Sequence, residues 1–246
     1  MTTPTHMIMV PGHGIWKFTG LGDASSDWFL ESFQLEGHDH LAFKHHITTA
    51  FTELEKDPKS LIVFSGGQTK EAAGPLSEAQ SYWFLARAMG LIDAKNVGRV
   101  HTEEYARDSF ENVLFSLARF KEITGAYPER ITIPGFEFKR HRFLKLHFPA
   151  LKYPVEKVNY IGNAPTPDYQ YRSVELKKYF DDLASAEYKH AVVAFEKDPL
   201  GNGSVLGEKK AKRNPFKRQH PYAYTNPQLA AFFTDITNFE SVQVPW

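Results

Sequence analysis

The chain of 246 residues contains no cysteine, which excludes disulfide bonds, zinc sites built on thiolates and cysteine nucleophiles. It also lacks a run of about eighteen apolar residues, so we expect no membrane-spanning helix. Residues 1–6 have neither the positive charge nor the apolar stretch of a signal peptide. These absences predict a soluble protein of the cytoplasm, where thiols stay reduced.

Neither sign of charge is in excess, since 29 lysines and arginines balance 29 aspartates and glutamates. A neutral chain has no global field that would recruit nucleic acid or an anionic membrane, so we expect neither as a partner. Any charge that binds a ligand must therefore be local. Composition leaves the oligomeric state open.

Short apolar runs that are typical of buried strands alternate with helical patterns over the first two thirds of the chain. This alternation predicts βαβ units, and therefore an α/β fold with a mostly parallel, five-stranded sheet and helices on both faces. The length fits one domain, residues 1–246, with a core at about residues 5–165. The predicted strands are 7–10, 61–64, 99–101, 130–133 and 157–161.

Three helices have clear apolar stripes and start signals. The spacing of Phe43, Ile47 and Phe51 predicts a helix over 39–56. Ser77 with Gln80 has the spacing of a capping box before a helix over 77–89. In the same way, Asp108 caps a helix that we expect over 108–121.

The last third, residues 166–246, is predicted to pack on the core as an extension of helices and loops. A charged helix is expected at about 173–194 and a short one at about 227–237. The basic stretch 208–218 suits a mobile surface loop better than a nuclear-localisation or nucleic-acid patch. It could also fold over a cleft and contribute cations to an anionic ligand.

Ligands of open parallel sheets bind beyond the carboxyl ends of the strands, near the point where strand order reverses. Two glycine-rich turns follow predicted strands, and glycine lets the backbone approach a ligand and offer its N–H groups. We therefore predict a cradle for an oxyanion or a nucleotide-like group. Its candidate residues are Gly12, His13 and Gly14 after the first strand and Ser65, Gly66, Gly67 and Gln68 after the second.

Two residues are candidates for proton transfer. His13 lies between two glycines that leave its ring unshielded, and its alternative role is a structural hydrogen bond. Glu103 directly follows the third strand and could act as a general base, a ribose-hydroxyl acceptor, a metal ligand or a solvated turn. Ser65 does not lie in the G-x-S-x-G motif of a nucleophile elbow, so we assign it to ligand binding.

Four further side chains are candidates for ligand binding. Lys139 and Arg142 could clamp a phosphate or carboxylate, or lie on a solvated helix face. Asn112 could orient Glu103 or the ligand. Glu78 could reach the site, or it could only interact favourably with the dipole at the start of its helix. The histidines at 38, 40, 45 and 46 show no spacing that supports a metal site, and we predict none.

The order of Ser65-Gly66-Gly67, Glu78-Ala79, Gly90, Glu103 and the segment 108–112 resembles domain of unknown function 218, the YdcF/SanA/ElyC-like family. The resemblance covers about residues 7–161. That family continues with a His-x-x-Arg element, where Arg142 matches the arginine and Lys139 stands in place of the histidine. The resemblance implies a Rossmann-like three-layer α/β/α fold with a polar cleft, and it favours the site position of Glu78.

No agreed reaction comes with that family, although at least one relative is reported to bind S-adenosylmethionine. S-adenosylmethionine or a nucleotide is therefore the first candidate ligand or cofactor. Our leading hypothesis is an enzyme that binds a small anionic molecule and acts as a hydrolase or a group transferase. The alternative is a non-catalytic ligand sensor or interaction module of the same fold.

Overall fold

A computed structural model describes residues 3–168, 172–233 and 242–246. Its central sheet has five parallel strands in the order β5-β4-β1-β6-β7, which confirms the α/β class and the parallel sheet. A short antiparallel pair, β2 and β3, lies apart from this sheet. The strands are β1 His6–Pro11, β2 Ile15–Trp16, β3 Trp28–Phe29, β4 Ser60–Ser65, β5 Val100–Glu103, β6 Arg130–Phe136 and β7 Val158–Asn163.

The helices begin where the sequence signals predict. Ser77 accepts a hydrogen bond from the Gln80 N–H at 2.9 Å, and Asp108 accepts one from the Glu111 N–H at 2.8 Å. The helices are α1 Asp39–Lys56, α2 Glu78–Ala88, α3 Ser109–Thr124, α4 Phe148–Ala150 after a π-helical turn Arg142–His147, α5 Ser173–Glu187, α6 Val193–Lys197, α7 Ser204–Lys212 and α8 Tyr222–Thr225.

Helices cover both faces of the sheet, as in a Rossmann-like three-layer α/β/α arrangement. Alternate residues of β1 point to opposite faces. Ile8 and Val10 pack with α1 and α2, whereas Met7 and Met9 pack with α3 and the segment around α4. Every residue of β1 is buried, which explains its continuous apolar run. No helix of the described residues is long and apolar enough to cross a membrane.

The basic stretch 208–218 is not the mobile loop that its composition predicts. Its first part belongs to α7, and Lys210 is only 7% exposed. The Lys210 Nζ lies 3.2 Å from Glu111 Oε1, at the start of α3. Arg213 then donates a hydrogen bond to the Arg107 carbonyl at 3.0 Å. The prediction was wrong because these charges pair with acids that are distant in the sequence.

The other expectations for the last third hold in part. The charged helix begins at Ser173 and ends at Glu187, and a π-helical turn leads from it into α6. The short helix expected at 227–237 is a 3₁₀ helix over Pro227–Phe233. Residues 234–237 lie outside the described residues.

A charged cluster closes the amino-terminal end of the sheet. Asp57 accepts hydrogen bonds from the Lys59 N–H and the His6 ring, both at 2.9 Å, and from Arg130. Burial raises the pKa of Asp57, but these donors outweigh burial and lower it to about 2. The ionised carboxylate therefore stabilises the fold at neutral pH.

We expect Asp57→Asn to lower the free energy of unfolding at pH 7 by about 1–2 kcal/mol, because solvent at the edge of the cluster screens part of the interaction. Since the folded pKa lies below the unfolded one, the difference should shrink as the pH falls from 3.8 towards about 2. Urea denaturation at pH 7 and pH 3 measures this. The matched control is Asp181→Asn, which breaks an exposed pair with Lys177 and should change little. Equal losses at both pH values would contradict the electrostatic origin.

Candidate functional site

The strand order reverses between β1 and β6, because the helix after β1 lies on one face of the sheet and the segment after β6 lies on the other. In open parallel sheets such a reversal is where ligands usually bind, and we refer to the region beyond the carboxyl ends of these two strands as the crevice. His13 follows β1, and Lys139 ends the 3₁₀ turn that follows β6. Arg142 begins the next helical turn. Two of the predicted cations thus lie beside the predicted histidine.

Direct contact joins the two sides of this crevice. The Lys139 Nζ lies 3.3 Å from His13 Nδ1. Burial lowers the pKa of His13 well below its usual value, and the charge of Lys139 lowers it further, so the imidazole is neutral. A charged ammonium donates to Nδ1, which leaves the ring hydrogen on Nε2. His13 Nε2 is buried and has no hydrogen-bond partner among the described residues, so its N–H can serve a ligand.

Positive charge accumulates in the crevice. Burial lowers the pKa of Lys139 to about 8, and repulsion from Arg142 contributes, while Glu187 and Asp39 oppose the shift. Arg142 Nε lies 3.0 Å from Glu187 Oε1 as an ion pair. The charge of Arg213 also lowers the pKa of His13 and of Lys139. Neither Lys139 nor Arg213 forms a salt bridge with any residue that the structure describes.

Asp39 is a second acidic residue of this group, beside Glu187. It lies in the first turn of α1 and is 8% exposed. Burial raises its pKa to about 6, and the charge of Lys139 opposes that shift. The crevice therefore combines a neutral imidazole, an amine that titrates near physiological pH and a carboxylate that remains mostly ionised at pH 7.

The glycine turns do not form the predicted cradle of free N–H groups. The N–H groups of Gly12, Gly66 and Gly67 already make backbone hydrogen bonds to carbonyls at or just beyond the neighbouring strand ends, so these three donors are not available to a ligand. The register of the parallel strands continues past the strand ends and uses the donors there. Gly12 donates to the Ser65 carbonyl at 2.7 Å, Gly66 to the Glu103 carbonyl at 3.0 Å and Gly67 to the Ala106 carbonyl at 2.7 Å.

Instead, the glycines make room for Glu78. A Cβ atom at Gly12 or Gly66 would lie 2.6 or 2.8 Å from Glu78 Cβ, which is closer than real contacts allow. The buried Glu78 carboxylate accepts a hydrogen bond from the Thr69 hydroxyl at 2.5 Å. Burial raises the pKa of Glu78, and this hydrogen bond opposes the shift. Glu78 thus lies beneath the two turns.

Two more predicted ligand contacts have partners within the protein. Gln68 Nε2 donates to the Pro75 carbonyl at 2.6 Å, and this hydrogen bond stabilises the loop that contains both residues. A Cβ atom at Gly14 would lie 3.1 Å from the Phe43 ring, so this glycine permits close packing of α1 against the turn.

Glu103 belongs to a separate, buried network. Its carboxylate accepts hydrogen bonds from Ser65 Oγ at 2.7 Å and from Tyr222 Oη at 3.2 Å, and it also accepts from two backbone N–H groups. Asn112 Nδ2 donates to Ser65 Oγ at 3.0 Å, which supports the predicted orienting role. Burial raises the pKa of Glu103 to about 7, against these donors.

This network changes the interpretation of Glu103. The residue is 1% exposed and both carboxylate oxygens are occupied, so the geometry favours a positioning role over the predicted general base. Ser65 is fully buried and its hydroxyl bonds to Glu103 and Asn112, so its predicted role in ligand binding stays a prediction. The predicted residues therefore divide into a crevice group around His13 and a frame around Glu103.

Sequence reasoning missed Asp39 and Arg213 as members of the crevice group and Tyr222 as a member of the frame. Asp39 was interpreted only as a helix start. However, α1 is the first α-helix after β1, and its first turn lies at the edge of the sheet where the strands end and ligands bind. Arg213 lies in the basic stretch whose folding over a cleft was considered. No sequence signal pointed to Tyr222, which is 119 positions from Glu103.

The chain is similar to a yeast protein over nearly its whole length. Uncharacterized protein YOR238W of Saccharomyces cerevisiae is 37% identical over 267 residues, and the alignment covers 91% of this chain and 88% of the relative. The chain belongs to the family of this yeast protein. No family model matches the chain, and no solved structure matches it. The resemblance to domain of unknown function 218 therefore stays a prediction, and the function has to be argued from the geometry.

The packing of Glu78 predicts that Gly12→Ala destabilises the protein. The added methyl group would meet Glu78 Cβ at 2.6 Å, and such overpacking costs about 1–3 kcal/mol. Gly98→Ala is the matched control, because nothing lies within 4 Å of a Cβ atom there. Urea denaturation of both variants checks the expectation. A Gly12→Ala protein as stable as Gly98→Ala would contradict the expectation, because it would show that the turn accommodates a methyl group beside Glu78.

Proposed function

We propose that this protein is a cytosolic enzyme that binds a small anionic substrate in the crevice between β1 and β6 and catalyses its hydrolysis or a group transfer. One observation carries the proposal. Lys139 and Arg213 bring positive charge to a half-buried imidazole, and neither cation has a salt-bridge partner among the described residues. An anion would supply the missing partner.

The electrostatics favour a ligand that carries more than one negative charge. Arg142 and Arg213 raise the cost of charging Lys139, Glu187 and Asp39 offset part of that cost, and an anion beside the cations would lower it further. Arginine pairs with phosphate through two parallel hydrogen bonds, and lysine acts as a point charge. A nucleotide or a phosphosugar therefore suits the crevice better than S-adenosylmethionine, whose single carboxylate leaves one cation without a partner.

His13 is the residue that we assign to proton transfer. Its neutral ring presents Nε2–H to the crevice while Lys139 donates to Nδ1. If Lys139 loses its proton, it can accept a hydrogen bond from Nδ1–H, and Nε2 then becomes a base. The pair can thus supply either an acid or a base at the same atom: a charged Lys139 holds the hydrogen on Nε2, whereas an uncharged Lys139, which can donate or accept, permits both forms.

Phosphate binding tests the cation site. Inorganic phosphate at a hundred times its dissociation constant should stabilise the protein by about 2.7 kcal/mol, which raises the melting temperature by roughly 5–10 °C. We expect Arg213→Ala to weaken phosphate binding about 10- to 100-fold, because a charge-assisted hydrogen bond is lost. Lys212→Ala, which removes an exposed cation on α7, is the matched control and should bind as the unmodified protein does. Equal weakening in both variants would indicate only a general basic surface.

Turnover tests the assignment of His13. Nucleotides and phosphosugars are incubated with the protein, and their products are followed by mass spectrometry. We expect His13→Gln to lower the rate roughly 10²- to 10⁴-fold, because glutamine donates a hydrogen bond but exchanges no proton. The same variant should keep the phosphate-induced rise in melting temperature. An unchanged rate would remove His13 from the mechanism, and binding without any turnover would favour a ligand sensor.

A further inference from the structure

The amine of Lys139 occupies an unusual position for a lysine. Its Nζ contacts His13 Nδ1 at 3.3 Å and lies 5.1 and 5.5 Å from the ring centroids of Phe136 and Phe138. A neutral imidazole and two aromatic rings, which also pack on one another, therefore lie beside it. The side chain is half-buried, so a small molecule can reach it. This environment tolerates an uncharged amine, which is the nucleophilic form.

We propose that Lys139 Nζ is a nucleophile that forms an imine with the carbonyl group of a small anionic aldehyde or ketone. This inference rests on the proposed function, because Arg142 and Arg213 would hold the phosphate or carboxylate of the same substrate. It narrows the substrate from any small anion to one that also carries a carbonyl carbon. A lysine flanked by other cations and shielded from water is the usual form of an imine-forming residue.

The chemistry needs no oxidant or reductant. The neutral Lys139 amine donates one of its N–H groups to His13 Nδ1, which keeps the ring hydrogen on Nε2. The Nζ lone pair bonds to the carbonyl carbon as the C=O π pair moves to oxygen, which takes a proton from His13 Nε2–H. The nitrogen of the resulting carbinolamine returns a proton to His13. The hydroxyl group then takes a second proton from His13 Nε2–H and leaves as water, while the nitrogen lone pair closes the C=N bond. The iminium nitrogen finally returns its proton to His13, which restores the neutral imidazole. The net change is amine plus carbonyl to imine plus water.

The ionisation of Lys139 agrees with this role. With a pKa of about 8, roughly one Lys139 amine in ten is uncharged at pH 7. An ordinary lysine with a pKa near 10.4 has about one in 2,500 uncharged at that pH. Because a less basic amine is also a weaker nucleophile, we expect a reactivity advantage of at least about tenfold rather than the full ratio.

Pyridoxal 5′-phosphate is the probe, since it carries both an aldehyde and a phosphate. The full chain is treated with it at pH 7, reduced with borohydride, and digested for mass spectrometry. We expect Lys139 to be modified at least tenfold faster than exposed Lys145, and inorganic phosphate to protect it by competition. Lys139→Arg should abolish the fast labelling and keep phosphate binding, because the charge remains. Lys145→Arg is the matched control and should label as the unmodified chain does.

Labelling of Lys139 no faster than that of Lys145 would overturn the imine proposal. So would fast labelling that persists in Lys139→Arg. If phosphate still raises the melting temperature in those cases, the anion site stands and only the nucleophile is wrong. Fast labelling that phosphate does not slow would also contradict the proposal, because the aldehyde would then react outside the anion site.

Discussion

The contact between His13 and Lys139 is the interaction on which the site depends. These two side chains come from strands that are adjacent in the sheet but more than a hundred residues apart in the chain. Right-handed crossovers on opposite faces bring the ends of β1 and β6 together without a helix between them. Burial then acts on both groups at once, because a low-dielectric setting disfavours the charged form of imidazole and ammonium alike. The lowered pKa values of both groups are therefore a consequence of topology.

The frame beside the crevice shows how the protein tolerates buried acids. Glu103 is buried, and the free-energy cost of burying its carboxyl group is reduced because hydroxyl and backbone donors bond to both of its oxygens. Glu78 depends on the absence of side chains at Gly12 and Gly66. Glycine at these turns thus serves the packing of a carboxylate, whereas the usual interpretation of such turns is close approach of a ligand. The distinction matters, because the anion site must then be built from side chains.

Local signals in the sequence were sufficient for the five strands of the central sheet and for the helices α1, α2 and α3. The helix from Asp39 to Lys56 and the Ser77 cap occur where periodicity and capping residues predict them, because both depend on neighbours within a few positions. The meeting of His13, Lys139 and Arg142 was also predictable, since parallel strands end at one edge. The hydrogen-bond partners of the glycine N–H groups were not predictable, because they depend on strand register. The salt bridge of Lys210 was not predictable either, because its partner Glu111 lies about a hundred residues earlier in the chain.

The C-terminal third therefore completes the site. Tyr222 donates to Glu103 in the frame, and Lys210 is held by Glu111 and by Asp108, 3.7 Å away, which places Arg213 near the crevice. An ion pair that is less than a tenth exposed on both sides is screened little by salt. Breaking it by removing one partner leaves an uncompensated buried charge, which commonly costs about 3–5 kcal/mol. The cation that we assign to the ligand is thus positioned by a buried pair one turn earlier in the chain. Arg213 itself stays exposed, and because only its Nη1 donates to the Arg107 carbonyl, its other N–H groups remain for an anion.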